Sequence, residues 1–279
     1  GLVGSEMCIR DRYRLWQIGT SSWTAVSVGQ SHTAAIRTDG ALFTWGSNTN
    51  GQLGDNTTVS KSSPVQIGTS SWTAVSLGSD FTSAIRTDGA LFTWGYNFSG
   101  QLGDGTTVTK SSPVQVGTVS SWTKVSAGSS HTAAIRTDGA LFAWGLGTSG
   151  QLGDSSVVTK SSPVQVGTVS SWTAVSAGLS HTAAIRTDGG LFAWGLGTSG
   201  QLGDNTLLTR SSPVQIGTSS WTAVSSGTNH SAAIRIDGTL WTWGLGTTGQ
   251  LGDSTAVTKS SPVQVGFSSW SVVYVGNSV

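Results

Sequence analysis

The chain has 279 residues, of which 36% are apolar and only 10% are charged, and its formal net charge is +1. Its 13 Trp and its regularly placed Val, Ile and Leu offer enough apolar surface for a core, which excludes a disordered chain. The charges lie in opposite-sign pairs and leave no basic stripe for a phosphate backbone, so we expect no nucleic-acid partner. No apolar run approaches the length that spans a membrane, so we also expect no membrane insertion.

Residues 1–14, "GLVGSEMCIRDRYR", match nothing else in the chain and contain its only Met, Cys and Glu. They lack the apolar centre of a signal peptide and resemble a translated adapter sequence. The lone Cys8 forms no internal disulfide and leaves the redox compartment open. We therefore exclude this leader from the fold and predict a single domain over residues 15–279, with a preceding signal segment left open.

From the first Trp repeat onward, the chain is periodic. Five complete units begin at residues 23, 72, 122, 172 and 221, and a partial unit begins at residue 270, so the spacing is 49 or 50 residues. A further partial unit, "LWQIGTSS", precedes the first one. Internal repeats of this length indicate that each unit is one supersecondary element that buries its core against its neighbours.

One unit, residues 122–171, predicts four strands: "WTKVSAG", "HTAAIR", "ALFAWG" and "SSPVQV". The Asp-Gly of "TDG" predicts a tight hairpin in which both turn residues have positive φ. The Pro of the fourth strand lacks a ladder donor and favours an outer edge. Four-stranded antiparallel units of this length predict an all-β fold, a β-propeller, with a solenoid of stacked sheets as the alternative.

The segment "HTAAIRTDGALFTWGSNTNGQLGD" (residues 32–55) carries Asp-Gly, Trp-Gly and Gly-Gln-Leu-Gly landmarks, and Gly29 completes Gly-x-x-His. In these features residues 15–279 resemble the regulator of chromosome condensation repeat family, and more specifically its bacterial members. Kelch repeats share the period but need a Gly-Gly doublet in every unit, and only Gly189–Gly190 supplies one. The resemblance implies a ring that closes with seven blades, of which this chain would be a fragment; a closed five-bladed ring is the alternative.

The motif "GQLGD" occurs in all five complete units, and we interpret it as blade architecture. Its glycines would permit positive φ, its Leu would fill the gap between blades, and its Gln would satisfy loop backbone groups. The copies are Gly51, Gln52, Leu53, Gly54 and Asp55; Gly100, Gln101, Leu102, Gly103 and Asp104; Gly150, Gln151, Leu152, Gly153 and Asp154; Gly200, Gln201, Leu202, Gly203 and Asp204; and Gly249, Gln250, Leu251, Gly252 and Asp253.

The repeated polar residues do not suggest catalysis or a cofactor. A nucleophile needs one specially activated environment, whereas His recurs with the repeat and is replaced by Phe81 in the second unit. In the resembled family this His usually bonds backbone within or between blades. One His and one loop Asp per unit fall short of a zinc or calcium site, so we expect no metal. The repeated Trp residues are expected to pack between blades rather than to form a platform for sugars.

Sequence variation is concentrated in two segments of each unit, after the first strand and after Trp-Gly. In an up-down blade both segments emerge on one face, which predicts a variable rim where a partner would bind. The second unit departs most from the others and is predicted to expose aromatic residues beside a carboxylate there. The candidate rim residues are Gln30, Asp80, Phe81, Tyr96, Phe98, Leu179 and Asn229.

Together these features predict a non-enzymatic, protein-binding scaffold, like the secreted protein-binding modules among bacterial members of the resembled family. Carbohydrate binding through rim aromatics is the alternative, and an enzyme would need a catalytic domain beyond the repeats. Two activities of the family are not expected: its photoreceptor depends on a Gly-Trp-Arg-His-Thr sequence, and its nucleotide exchange depends on an inserted loop. The low charge and the Ser-, Thr- and Gly-rich surface favour an extracellular or cell-surface setting.

Overall fold

The computed structural model describes residues 21–275, so the adapter-like segment 1–14 lies outside the described residues. The regular elements of this range are β-strands, arranged in five consecutive blades. Blade 1 contains β1 (Trp23–Val28), β2 (His32–Arg37), β3 (Ala41–Gly46) and the first part of β4 (Lys61–Leu77). Blade 2 contains the rest of β4, β5 (Phe81–Arg86), β6 (Leu91–Gly95) and β7 (Lys110–Gln115).

The remaining three blades follow the same order. Blade 3 contains β8 (Trp122–Ala127), β9 (His131–Arg136), β10 (Leu141–Gly145) and β11 (Lys160–Gln165). Blade 4 contains β12 (Trp172–Ala177), β13 (His181–Arg186), β14 (Leu191–Gly195) and β15 (Arg210–Gln215). Blade 5 contains β16 (Trp221–Ser226), β17 (His230–Arg235), β18 (Leu240–Gly244) and β19 (Lys259–Val265). No helix that is long and apolar enough to cross a membrane occurs within residues 21–275.

Each blade is an antiparallel sheet in which the strands pair in chain order, which confirms the four strands predicted for the unit. Blades 1 and 2 share the long strand β4 and so form one seven-stranded sheet, whereas the other blades are separate four-stranded sheets. The Pro of each unit lies on the outer strand, where its missing N–H leaves no ladder partner unpaired.

The Asp-Gly hairpin is present, but its predicted geometry is wrong. Gly139 has φ of +77°, whereas Asp138 is not among the residues with positive φ. The Gly139 N–H donates to the Arg136 carbonyl, and the Arg136 N–H donates to the Ala140 carbonyl. This pattern is a three-residue loop, a type I turn followed by a glycine bulge. The Asp138 carboxylate accepts a hydrogen bond from the Ala140 N–H at 2.9 Å, which favours the type I turn over the mirror-image type I′ turn.

The inner strands of all five blades line one central groove of about 1380 Å³, which identifies a propeller rather than a solenoid of stacked sheets. A hydroxyl belt joins the inner strands: Ser76 Oγ accepts the Ala127 N–H of the next blade at 2.9 Å. The equivalent hydroxyls make the same contact with the following unit, and they belong to Ser27, Ser126, Ser176 and Ser225.

The hydrophobic core lies between blades rather than inside them. One cluster joins Ile36 and Leu42 of blade 1 to Trp72 and Trp94 of blade 2. The two Trp rings lie 6.1 Å apart between centroids with 61° between their planes, an edge-type geometry that aromatic pairs prefer. Since each blade completes the core of its neighbour, the chain needs a series of units to fold.

The alternative of a closed five-bladed ring is wrong. Within the described residues, extensive contacts between blades join only consecutive ones. Blade 5 is followed instead by the start of a sixth unit, because the Val275 N–H donates to Ser225 Oγ at 2.9 Å. The Trp270 N–H also donates to the Gly238 carbonyl at 2.9 Å, as the Trp72 N–H does to the Gly40 carbonyl where blade 1 meets blade 2. Residues 270–275 thus repeat the contacts that begin the other units, while the partial unit at residue 270 and the closure with seven blades stay predictions.

Candidate protein-binding rim

The Gln of the GQLGD motif joins each blade to the next through its main-chain carbonyl. The Gln52 oxygen accepts a hydrogen bond from Thr82 Oγ1 at 2.8 Å and another from Trp94 Nε1 at 3.0 Å, both from blade 2. The next three copies, Gln101, Gln151 and Gln201, accept the equivalent pair of bonds. We call this double contact the inter-blade clamp.

The other residues of the motif shape this clamp. Gly54 has φ of +78°, and a Cβ there would lie 2.5 Å from Trp94 Nε1, so only Gly lets the indole approach. Leu53 is fully buried, and Gln52 Oε1 accepts the Asn50 N–H at 2.9 Å.

The motif Asp caps its own loop. Asp55 Oδ1 accepts hydrogen bonds from the Thr57 N–H and hydroxyl, at 3.0 and 2.7 Å, while Oδ2 lies 3.2 Å from Lys61 Nζ. These bonds lower the pKa of Asp55 even though its burial acts in the opposite direction. Its oxygens are thus engaged by local partners, and residues 21–275 contain no cluster of three or more His, Cys, Asp or Glu that could hold a metal ion.

The repeated His extends the clamp. His131 Nε2 lies 2.9 Å from Thr182 Oγ1, whose own hydrogen goes to the Gln151 carbonyl, so Nε2 is the donor. Burial lowers the pKa of His131 to about 4, which keeps the ring neutral. The His thus joins two blades, but its partner is a hydroxyl of the next blade, whereas the family resemblance implied a backbone group.

One of these bridges has the atoms of a catalytic dyad. His181 Nε2 lies 2.9 Å from Ser231 Oγ. Both residues are fully buried, however, and the Ser231 hydroxyl donates to the Gln201 carbonyl at 2.9 Å. No substrate atom can reach this hydroxyl, and the hydrogen points away from the His, so the pair acts as a structural bridge.

Phe81 corrects one prediction. It takes the place of His in blade 2 and is fully buried, packed with Leu102 and Ala127 rather than exposed on the rim. The position points into the junction between blades in every unit, so an aromatic side chain there fills the space of the imidazole. Phe81 is therefore a core residue and cannot anchor a partner.

The two variable segments of each unit do lie together, as predicted. The Tyr96 N–H donates to the Asp80 carbonyl at 2.9 Å, which joins the segment after the third strand to the segment after the first. The same backbone bond recurs in all five blades, and its donors in the other blades are Ser47, Leu146, Leu196 and Leu245. We call the surface made by these paired segments the variable rim.

The candidate rim residues are distributed over four blades. Gln30 and Phe98 are exposed, and Leu179 is moderately exposed, while Asp80, Tyr96 and Asn229 are half-buried. Gln30 and Leu179 also line the mouth of the central groove. The Gln30 N–H donates to the Ser79 carbonyl at 3.3 Å, so this residue lies beside the blade 2 segment, whereas Leu179 and Asn229 belong to blades 4 and 5.

Blade 2 presents a distinct patch on this rim, formed by Asp80, Tyr96 and Phe98. The two rings pack at 4.7 Å between centroids and 42° between planes, and Phe98 is 70% exposed. Burial raises the pKa of Asp80, and its carboxylate has one weak contact, with Gln52 Nε2 at 3.4 Å. We call these three residues the blade 2 patch.

Part of the rim variation has a structural cause that the sequence analysis missed. The buried Asn48 amide donates to the Val59 carbonyl, and its oxygen accepts the Leu53 N–H at 2.9 Å. Asn97 holds the loop of blade 2 in the same way. Blades 3 to 5 have Gly here, and a Cβ on Gly147 would overlap the Val158 carbonyl. Asn and Gly thus close the same loop in two ways. The sequence signal for this role was that every unit has either Asn or Gly at this one position.

Radially arranged four-stranded blades around one groove define a β-propeller repeat protein, with its clamps between blades and its variable segments on one face. A model of the RCC1-like domain family matches residues 12–278. The chain belongs to that family. The predicted family and fold class are thereby confirmed.

Solved structures show the same fold. Human WBSCR16 superposes with a TM-score of 0.81 at 24% identity, over 91% of this chain and 70% of that one. Yeast RCC1 (Prp20), in its structure bound by Kap60, gives 0.77 at 19% identity, over 89% of this chain and 62% of that one. Prp20p from Saccharomyces cerevisiae gives 0.75 at 21% identity, over 88% and 63%. The chain thus spans less than two thirds of the Prp20 chains, and no curated protein matches it in sequence.

Proposed function

We propose that the chain is a protein-binding scaffold that presents its variable rim, and the blade 2 patch above all, to a partner protein. The observation that carries this proposal is the division of labour within each unit. The repeated residues form the inter-blade clamp. The blade 2 patch takes no part in the clamp, and its Phe98 is 70% exposed. A large exposed aromatic side chain costs solvation without stabilising the blade, and partner recognition gives such a residue a role.

The relatives of known structure support a protein partner as the class of ligand. Yeast RCC1 has been crystallised with Kap60 bound, and Prp20p has been studied for its binding to Gsp1p and histones. Those partners belong to those proteins. What transfers to this chain is the general use of an RCC1-like propeller as a surface for other proteins.

A loop exchange tests the proposal without disturbing the clamp. The variant carries the blade 3 residues in blade 2, as Asp80→Ser, Tyr96→Leu, Asn97→Gly and Phe98→Thr. Because blade 3 already folds with this set, the exchange removes the blade 2 patch and supplies the matching loop closure. A matched control, Ile236→Thr, places the blade 3 residue in the exposed turn between β17 and β18, away from the variable rim.

We expect the wild-type chain and the Ile236→Thr control to capture the same partner proteins from an extract of the source cells or their medium. The loop exchange should lose at least one of them without a lower melting temperature. Identical capture by all three proteins would contradict a role for the blade 2 patch. A glycan array on the same proteins completes the test, because saccharide binding that the exchange abolishes would favour the carbohydrate alternative.

A further inference from the structure

The blade 2 patch has an unusual electrostatic composition. Asp80 is the only charged residue in the variable segments of blades 1 to 5, which contain no Lys or Arg. It makes none of the ion pairs found among residues 21–275, in contrast to the motif Asp residues, which pair with Lys or Arg. Its carboxylate is therefore half-buried with no cation to balance it.

Two Arg residues of this chain each pair with a carboxylate and stack on an aromatic ring. Asp88 pairs with the Arg86 guanidinium at 2.5 Å, and the Arg86 Cζ lies 4.9 Å from the centroid of the Phe92 ring. Blade 1 repeats this arrangement with Arg37, Asp39 and Phe43, at 2.6 and 5.0 Å. In each case one planar guanidinium satisfies a carboxylate and stacks on a ring.

The blade 2 patch has a carboxylate and two aromatic rings on adjoining segments, joined by the bond from the Tyr96 N–H to the Asp80 carbonyl, but no guanidinium. We propose that the patch binds an Arg side chain of the partner protein, with Asp80 accepting from the guanidinium and Tyr96 and Phe98 covering its face and the apolar residues beside it. This inference rests on the proposed function and specifies the chemistry of the partner surface.

Two features favour Arg over an aliphatic or acidic residue. A carboxylate that has lost part of its hydration gains most from a charge-assisted, bidentate hydrogen bond, and burial raises the pKa of Asp80 because that hydration is incomplete. The ring of Phe98 is exposed on the same patch and offers a π face. An acidic partner would be repelled, and a purely apolar one would bury the charge unpaired.

The test uses a phage-displayed library of random peptides, selected on the full chain and counter-selected on the loop-exchange variant. We expect the recovered peptides to share an Arg next to apolar residues. Replacing that Arg by citrulline, which keeps the shape and removes the charge, should weaken binding about tenfold, the ratio that corresponds to 1.4 kcal/mol for one charge-assisted hydrogen bond.

Variants of the chain identify the acceptor. Asp80→Asn keeps an oxygen for Gln52 and should weaken the Arg peptides about tenfold without affecting the citrulline peptides, so that the two changes are coupled. Asp88→Asn, in the same blade but paired with Arg86, is the matched control and should leave binding unchanged. Phe98→Ala should weaken the Arg peptides as well.

Three results would overturn the inference: recovered peptides without a basic residue, independent effects of citrulline and Asp80→Asn, or no peptide that depends on the patch. Peptides that depend on the patch but lack Arg would leave the proposed function standing. Unchanged capture by the loop-exchange variant would remove the proposed function, and this inference with it.

Discussion

The clamp makes a quantitative prediction at Gly103, where blade 2 meets blade 3. In Gly103→Ala, the new Cβ would lie 2.5 Å from Trp144 Nε1, and the residue would keep φ of +72°. A left-handed φ costs an L-residue about 1–2 kcal/mol. Overlap with a packed side chain costs about 1–3 kcal/mol more, because the indole is buried and donates to the Gln101 carbonyl. We therefore expect a loss of about 2–5 kcal/mol in the free energy of unfolding.

Gly117 supplies a control with the same backbone conformation and no overlap. Its φ is +63°, and a Cβ there would meet nothing within 4 Å. Gly117→Ala should therefore cost only the conformational part, about 1–2 kcal/mol. The difference between the two variants isolates the approach of the Trp144 indole.

Urea unfolding of both variants, followed by Trp fluorescence, measures this difference as a shift in the midpoint at constant slope. We expect Gly103→Ala to be the less stable variant by at least about 1 kcal/mol, the lower limit of the cost of overlap. Equal stabilities would refute it, since the motif Gly would then serve only the turn and not the contact between blades.

Three further predictions concern single side chains. The pKa of His131 is lowered to about 4, below its unfolded value of about 6.5, so the protein loses stability as the pH falls through this range. In urea titrations, His131→Phe should therefore remove about 1 kcal/mol of the stability that the wild-type protein loses between about pH 7 and 5.5. An unchanged pH profile would contradict the neutral His bridge. Asn48→Ala leaves the Leu53 N–H unpaired and should cost about 2–3 kcal/mol in thermal unfolding; a cost below about 0.5 kcal/mol would show that the loop closes without the amide. Asp80→Asn should raise the melting temperature at pH 7, because burial raises the pKa of this carboxyl and so disfavours its charge in the folded state; a lower melting temperature would indicate a structural role.

The order of strands and turns in each blade could be predicted from the sequence because it depends on short-range signals that recur in every unit. Strand alternation, Asp-Gly and an edge Pro each act within a few residues, and five copies reinforce them. The exact turn at Asp138 could not be predicted, since the choice of turn depends on which backbone group the Asp side chain accepts from. Local sequence identifies a hairpin more securely than its geometry.

The rim was less predictable because exposure is decided between blades. Phe81 directly follows one variable segment and Phe98 lies within the other, yet Phe81 is fully buried against blade 3 and Phe98 is 70% exposed. The repeat alignment held a clue, since Phe81 replaces a His that every other unit retains. Likewise, the exchange of Asn48 for Gly147 appears as variation in sequence but closes the same loop in the structure. Asp80, Tyr96 and Phe98 lie outside such constraints and stay candidates for recognition, together with Gln30, Leu179 and Asn229 elsewhere on the rim.

Site-specific photo-crosslinking tests the central claim most directly. A photoreactive phenylalanine replaces Phe98 on the blade 2 patch or, as the matched control, Thr148 at the equivalent position of blade 3. Both positions are exposed and lie on the variable rim, so they differ in the blade rather than in access. The account predicts a crosslinked partner protein from position 98 and none from position 148. Equal crosslinking from both positions, or none from position 98 in a sample that captures the partner, would contradict it.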